Sequence, residues 1–393
     1  MITKKTYGGE MLLLSRLYRA GILVVLFSVS TRVCGGDFQT VLIGFTGPLS
    51  GISEMYGKST ANGAELAIEE ANRTAFKIDG KRVVFRLVRM DDRGDPERAQ
   101  QVAKLLVQAG VVGVIGSSNS TTTIAAAKVY AAAGIAQISP AATSRKYPEL
   151  GYRSTFRTVG GDDEAAPYLA DYVVHDLHAN RIAVITNGSI FGAGIAAQFA
   201  SVAKSNGATI VFYETVPLME GNFDSLLKRI KEQDIDVIFF SGYSAQSSVI
   251  AQGMLRLDVK ARLVTSMMGI VGQSFFVSAG TAGNGVFAQE PGLPFSKMPG
   301  WKKFEADYTQ RFGLNMYGLT PFSYDATQVL IAAVRQANSL NTGRIVETLH
   351  QIRHRGLTGL ISFDAKGNLK HPSFTIYEAQ NQKWMALKSH TLR

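Results

Sequence analysis

Cysteine is almost absent: Cys34 is the single one in 393 residues, and it stands close to the N-terminus. The body therefore has no disulfide framework, and its stability must come from a buried core. Long apolar runs are missing too. The conspicuous one, AGILVVLFSV at residues 20–29, is about half of the roughly 20 residues a membrane-spanning helix needs. Lys4, Lys5, Arg16 and Arg19 precede it, and Gly35 and Gly36 follow. A basic stretch, a short apolar run and small residues in that order read as a cleaved secretory signal over residues 1–36, with Met11 an equally good start, and place the rest in the periplasm. Lipid attachment at Cys34 is the lesser reading, because Thr31, Arg32 and Val33 before it fit that signal poorly.

Clustered charge is also lacking. The net charge of +10 includes five basic and one acidic residue among the first 36, which leaves about +6 spread singly over the body. No basic stripe interleaved with aromatics exists, so nucleic acid is not an expected partner. Enzyme signatures are missing as well. There is no Walker motif and no G-x-S-x-G, and Gly110, Gly113 and Gly116 have the wrong spacing for a dinucleotide fingerprint. His350 and His354 stand one helical turn apart, but no acidic or cysteine partner accompanies them. No catalytic group, cofactor or metal is expected.

What is present is a repeated alternation of short β-branched runs with helical patterns. Residues 41–45, 83–88, 111–115 and 135–138 read as strands. Between them lie helices at 58–72, with Ala61, Ala64, Ala67, Ile68 and Ala71 on one face, at 96–106 behind an Asp95-Pro96 start, and at 121–133. A second block repeats the scheme. Its strands are at 182–186, 209–213, 237–240 and 263–265, and its helices at 162–175, 194–205, 223–231 and 245–255. Helices at 301–312 and 324–339 and strands at 359–363, 374–377 and 384–387 follow. The fold class is α/β, with two doubly wound, Rossmann-like lobes. The expected division is 37–158 plus 289–358 in lobe 1, and 159–288 plus 359–393 in lobe 2.

Ligands of open α/β sheets bind beyond the carboxyl ends of the strands. After residues 111–115 comes Gly116-Ser117-Ser118-Asn119-Ser120-Thr121-Thr122-Thr123, running directly into a helix. Free amides and hydroxyls at a helix start make a seat for a carboxylate or phosphate, and a simple cap needs only one hydroxyl. The next strand ends in Ser139-Pro140-Ala141-Ala142-Thr143-Ser144, whose small residues let backbone approach a ligand. Tyr56, Phe191 and Tyr243 occupy equivalent strand-end positions and could line an apolar pocket.

From about Phe38 to His390 the chain resembles the leucine/isoleucine/valine-binding family of periplasmic substrate-binding proteins, of the class with three interlobe crossovers. The resemblance rests on several segments in order. They are Ile43-Gly44 with Gly47-Pro48-Leu49-Ser50-Gly51, Tyr56-Gly57, Asp91-Asp92 with Asp95-Pro96, VIGSSNSTTT, ISPAAT, Phe156-Arg157-Thr158 and Tyr324-Asp325-Ala326. It implies a monomeric clamp that captures a small carboxylate or amino-acid ligand and delivers it to an ABC permease in the inner membrane, without catalysis. It implies that Ser120, Ala141 and Thr143 hold the ligand carboxylate with Ser118 close by, and that Tyr56, Phe191 and Tyr243 contact its body. Two departures bear on the ligand. Met268 stands where amino-acid-binding members carry an acid for the ligand ammonium, and Phe191 replaces a tyrosine. The family's first-lobe disulfide is absent, with Gly94 and Asn119 near its positions. The expected ligand is thus a carboxylate with an apolar or aromatic body; Tyr243 could still meet an ammonium through its ring. The alternative function is a ligand-sensing module signalling to a partner protein.

Overall fold

The computed structural model describes residues 38–313 and 316–392. The expected signal and Cys34 lie outside the described residues.

The first sheet runs in the order Lys77–Ile78, Lys81–Asp91, Phe38–Gly47, Gly113–Ile115, Ala136–Ser139 and Thr155–Arg157. All its pairings are parallel except that of the short Lys77–Ile78 strand. Alternation along Phe38–Gly47 sends Val41, Ile43 and Phe45 into one core, while Leu42 packs against a second on the opposite face. Helix Glu54–Asn72 covers the first face, and Ala61, Ala64, Ala67, Ile68 and Ala71 are buried as the spacing predicts. At Gly63 a side-chain carbon would come within 2.6 Å of the Thr320 carbonyl. That glycine is what lets this helix lie against Thr320–Ala337. Helices Pro96–Gln108 and Ser120–Ala132 cover the other face through Ala99, Val102, Leu106, Ala126 and Tyr130. The Asp95 side chain accepts from Arg98 N at 2.7 Å, with Pro96 at the first helical position.

The second sheet runs Lys383–Thr391, Ser373–Gln380, Phe287–Pro291, Arg262–Ser266, Val237–Ser241, Arg181–Thr186 and Thr209–Thr215. The first two strands are antiparallel additions to a parallel sheet. Its core includes Phe199 stacked on Phe239 with ring centroids 3.9 Å apart. The expected helix over 162–175 is α-helical for Asp162–Asp171 and widens into a π-turn over Tyr172–Asp176.

The chain passes between the sheets three times. The first passage follows Thr155–Arg157. Phe287–Pro291 pairs wholly within the second sheet, so the next passage follows residue 291 and not 289. Gly359–Ile361 pairs with His354–Gly356, and Ile361 and Phe363 join the first lobe's core. The last passage therefore falls between Phe363 and Ser373, later than residue 359. Helices Trp301–Phe312, Thr320–Ala337 and Thr342–Gln351 complete the first lobe.

His350 and His354 do not share a helix. The chain leaves the helical path after Gln351, His354 begins a strand, and His350 Nε2 meets the Arg153 carbonyl at 2.8 Å. Among the described residues no His, Cys, Asp and Glu cluster suits a metal ion, and no helix is long and apolar enough to cross a membrane.

Candidate ligand-binding cleft

The carboxyl ends of the parallel strands in both sheets meet across a cavity of about 350 Å³. On the first-lobe side, two adjacent aspartates shape the wall. Asp91 accepts from Leu49 N at 2.8 Å, from the Ser50 hydroxyl and from Arg93 N at 2.9 Å. Burial works against its charge, but the Ser50 hydroxyl and the two amides outweigh it and hold the carboxyl below its usual range. Asp92 is fully buried, and burial raises its carboxyl despite bonds from the Thr46 hydroxyl and Gly94 N. Together they tie the loop after Phe38–Gly47 to the end of Lys81–Asp91, which brings Ser50, Ile52 and Arg93 to the cavity.

The hydroxyl-rich turn divides its labour. Asn119 supplies the cap, its side chain accepting from Thr122 N at 3.0 Å. The Thr122 and Thr123 hydroxyls turn back onto the Asn119 carbonyl at 3.3 and 2.7 Å. Ser118 and Ser120 are left to line the cavity beside the helix start. Ser120 Oγ also accepts from Ser144 N at 3.3 Å. In the next turn Ala141 reaches the cavity, whereas Ala142 and Thr143 lie buried behind its wall. Arg157, itself buried, grips that turn by donating to the Thr143 carbonyl at 2.7 Å. The Thr143 hydroxyl is directed to Asp162, whose carboxyl burial pushes up to about 7. Asp325, part of another recurring segment, is far from chemistry of this kind: it accepts from Leu357 N and Thr358 N at 2.8 and 2.6 Å and fastens the His354–Ile361 hairpin.

The second-lobe wall is different. Ser189 caps helix Ile190–Ser205 through Gly192 N at 2.9 Å and sets Phe191 at the cavity. The Gln246 side-chain oxygen accepts from Asn187 Nδ2 and Tyr243 N, both at 3.1 Å, and so fixes the turn that carries Tyr243. Burial pushes the Tyr243 phenol up to about 12, so it stays a neutral donor. After Arg262–Ser266 come Met267, with a left-handed backbone, and Met268; both line the cavity. Their turn rests on Glu290 of the neighbouring strand, which accepts from Gly269 N at 2.8 Å and Ile270 N at 3.0 Å. Burial pushes the Glu290 carboxyl up to about 8. The same turn touches the first lobe through Gly318 N to the Gly269 carbonyl at 2.9 Å, beside Tyr56.

Seven of the nine residues expected at the site therefore line one cavity: Tyr56, Ser118, Ser120, Ala141, Phe191, Tyr243 and Met268. The sequence reading missed Arg93, the one charged side chain among the lining residues. It stands one residue after Asp91-Asp92 at a strand end, which was the available signal. Residues 40–383 match the family model described as periplasmic binding protein. The chain belongs to that family. A Leu/Ile/Val-binding protein homolog 1 of Brucella abortus is 30% identical over 348 residues, 88% of this chain and 91% of that one. The structure of the branched-chain amino acid transporter substrate-binding protein LivJ from Streptococcus pneumoniae, in complex with isoleucine, superposes with a TM-score of 0.82. It is 25% identical, covering 90% of this chain and 99% of that one. An ABC-transporter solute-binding protein from R. palustris in complex with benzoate shares the fold at a TM-score of 0.82 and 17% identity, covering 90% of this chain and 98% of that one. As a periplasmic binding protein of the Leu/Ile/Val-binding type, the chain has the two-lobed α/β architecture in which these strand-end turns face one another.

Proposed function

We propose that this protein is the periplasmic solute receptor of an ABC importer and that it captures a small carboxylate with an apolar body, without transforming it. The observation that carries the reading is the make-up of the cavity lining: Ser118 and Ser120 at a helix start, one arginine, and no carboxylate. Helix-start amides and hydroxyls favour an anion. An α-ammonium enclosed here would face Met267, Met268 and Phe191, and leaving a buried cation unpaired costs several kcal/mol. Glu290 does not supply the missing partner, because its oxygens are taken by the amides of Gly269 and Ile270. LivJ holds isoleucine and the R. palustris protein holds benzoate; the lining here favours a ligand of the second kind. A ligand touching both walls stabilises the closed lobes over the open ones, and that differential contact is what a permease would read.

The test is calorimetry against matched acids and amino acids, with mass spectrometry of any ligand carried through purification. Benzoate-like or aliphatic acids should bind more tightly than leucine, and Ser120→Ala should weaken them about tenfold or more, the worth of a hydrogen bond to a charged group. Tight binding of leucine or valine with no binding of simple acids would overturn the ligand class.

A further inference from the structure

Arg93 has no role in the carboxylate seat just described. The strands ending near Ser118 and Arg93, Gly113–Ile115 and Lys81–Asp91, flank Phe38–Gly47 on opposite sides. Two interstrand spacings separate them, so the two strand ends stand roughly 10 Å apart. Arg93 and Gly94 both adopt left-handed backbone, at φ 56° and 70°, a conformation that a residue with a side chain rarely takes. Asp91 holds it there through Arg93 N at 2.9 Å. The same carboxylate does not neutralise the guanidinium tightly. Arg93 Nε lies 3.8 Å from Asp91 Oδ2, and that carboxylate already serves Leu49 N and the Ser50 hydroxyl. The Arg93 side chain is 68% exposed, so its charge is free to meet a ligand at the mouth. Around it the lining is apolar, with Ile52, Leu218 and Met219.

We infer that Arg93 is a second anion contact, and that the preferred cargo is a dicarboxylate whose two acid groups are separated by an aromatic ring or a chain of similar length. The inference rests on the carboxylate reading above and adds the far end of the ligand. One carboxylate sits at Ser118 and Ser120, the apolar body crosses Phe191, Tyr243 and Met268, and the second carboxylate reaches the guanidinium. Arginine suits that end because its planar fork pairs with a carboxylate through two parallel bonds.

Two matched pairs test it by calorimetry on the whole protein: benzoate against terephthalate, and hexanoate against adipate. In the wild type the diacid of at least one pair should bind about tenfold tighter or more, and less so as salt is added. In Arg93→Ala that preference should shrink below about threefold, with Arg93→Lys in between. A wild type that binds the monoacid as tightly as the diacid in both pairs, or a diacid preference untouched by Arg93→Ala, overturns the inference and leaves the carboxylate reading standing. Failure of all four acids, with leucine binding tightly, overturns the carboxylate reading itself.

Discussion

In the first lobe the strands end in Ser50, Ser118, Ser120 and Arg93, whereas in the second they end in Phe191, Tyr243, Met267 and Met268. Both walls arise from the same topology, parallel strands delivering their turns to one edge. What differs is how each turn satisfies its backbone. The first wall caps its helix with Asn119 and so leaves serine hydroxyls over, while the second uses Ser189 and Gln246 as internal braces and exposes rings and thioethers. One wall is thus equipped to hold charge and the other to hold shape. Selectivity between an amino acid and a plain acid is decided by the second wall, where the acid that would pair an ammonium is missing.

The harshest way to break this division is to place a negative charge on the polar wall. Ser120→Asp should abolish carboxylate binding, a loss of about a hundredfold or more, since a like charge at close range opposes the ligand directly. Thr143→Val, behind the same wall, should cost far less affinity, because its hydroxyl is directed to Asp162 and not to the cavity. Equal losses in the two variants, read by calorimetry, would dissolve the distinction between lining and backing residues. The converse change on the apolar wall is Met268→Glu. It should weaken simple carboxylates about tenfold and raise the affinity for leucine by a similar factor, because the ammonium then finds a partner. A variant that loses acids without gaining leucine would show that Met268 does not face the amino position.

Glu290 sharpens the comparison from below, because it holds up the apolar wall. In the unfolded chain this carboxyl titrates near 4.5, and in the fold it keeps its proton up to about pH 8. The native state therefore binds more protons in between. The stability this provides is complete below about pH 4.5 and is lost as pH rises towards 8. Glu290→Gln removes that titration, so its melting temperature should fall less steeply than the wild type's from pH 5 to pH 8. The slope removed is at most about 1.4 kcal/mol per pH unit. Asp162, pushed up to about 7, remains in both proteins and cancels from the difference. Identical slopes would mean that Glu290 is ionised in the folded state throughout.

The alternation of strands and helices was legible because buried parallel strands are short β-branched runs and their covering helices show a 3.6-residue period. The Asp95-Pro96 start and the alanine face of Glu54–Asn72 were readable for the same local reasons. Sheet membership was not. Gly359–Ile361 has the same pattern whichever sheet it joins, and only its pairing with His354–Gly356 assigns it to the first lobe. In the cleft, residue type told which turns carry donors, but side-chain direction within a turn depends on partners distant in sequence. Thr143 turns inward because Arg157 grips its carbonyl and Asp162 takes its hydroxyl. Arg93 was hidden by its setting, the charged stretch DDRGDPER, which reads as a solvated loop until Asp91 and Asp92 are seen to fold back onto Thr46 and Leu49.

The smallest expected effect concerns the mouth of the apolar wall. Leu218 and Met219 line the cavity yet are 42% and 55% exposed. They contribute little to the core, so Leu218→Ser and Met219→Ser should each change stability by no more than about 0.5 kcal/mol. If the ligand body extends to the mouth, each residue covers a few tens of Å² of it. At about 25 cal/mol per Å² that is worth roughly 0.5–1 kcal/mol, or about two- to fivefold in affinity. The loss should grow with the length of the acid's apolar body and vanish for acetate. A loss that is the same for acetate and hexanoate would place these two residues outside the ligand's reach and confine the shape-reading wall to Phe191, Tyr243, Met267 and Met268.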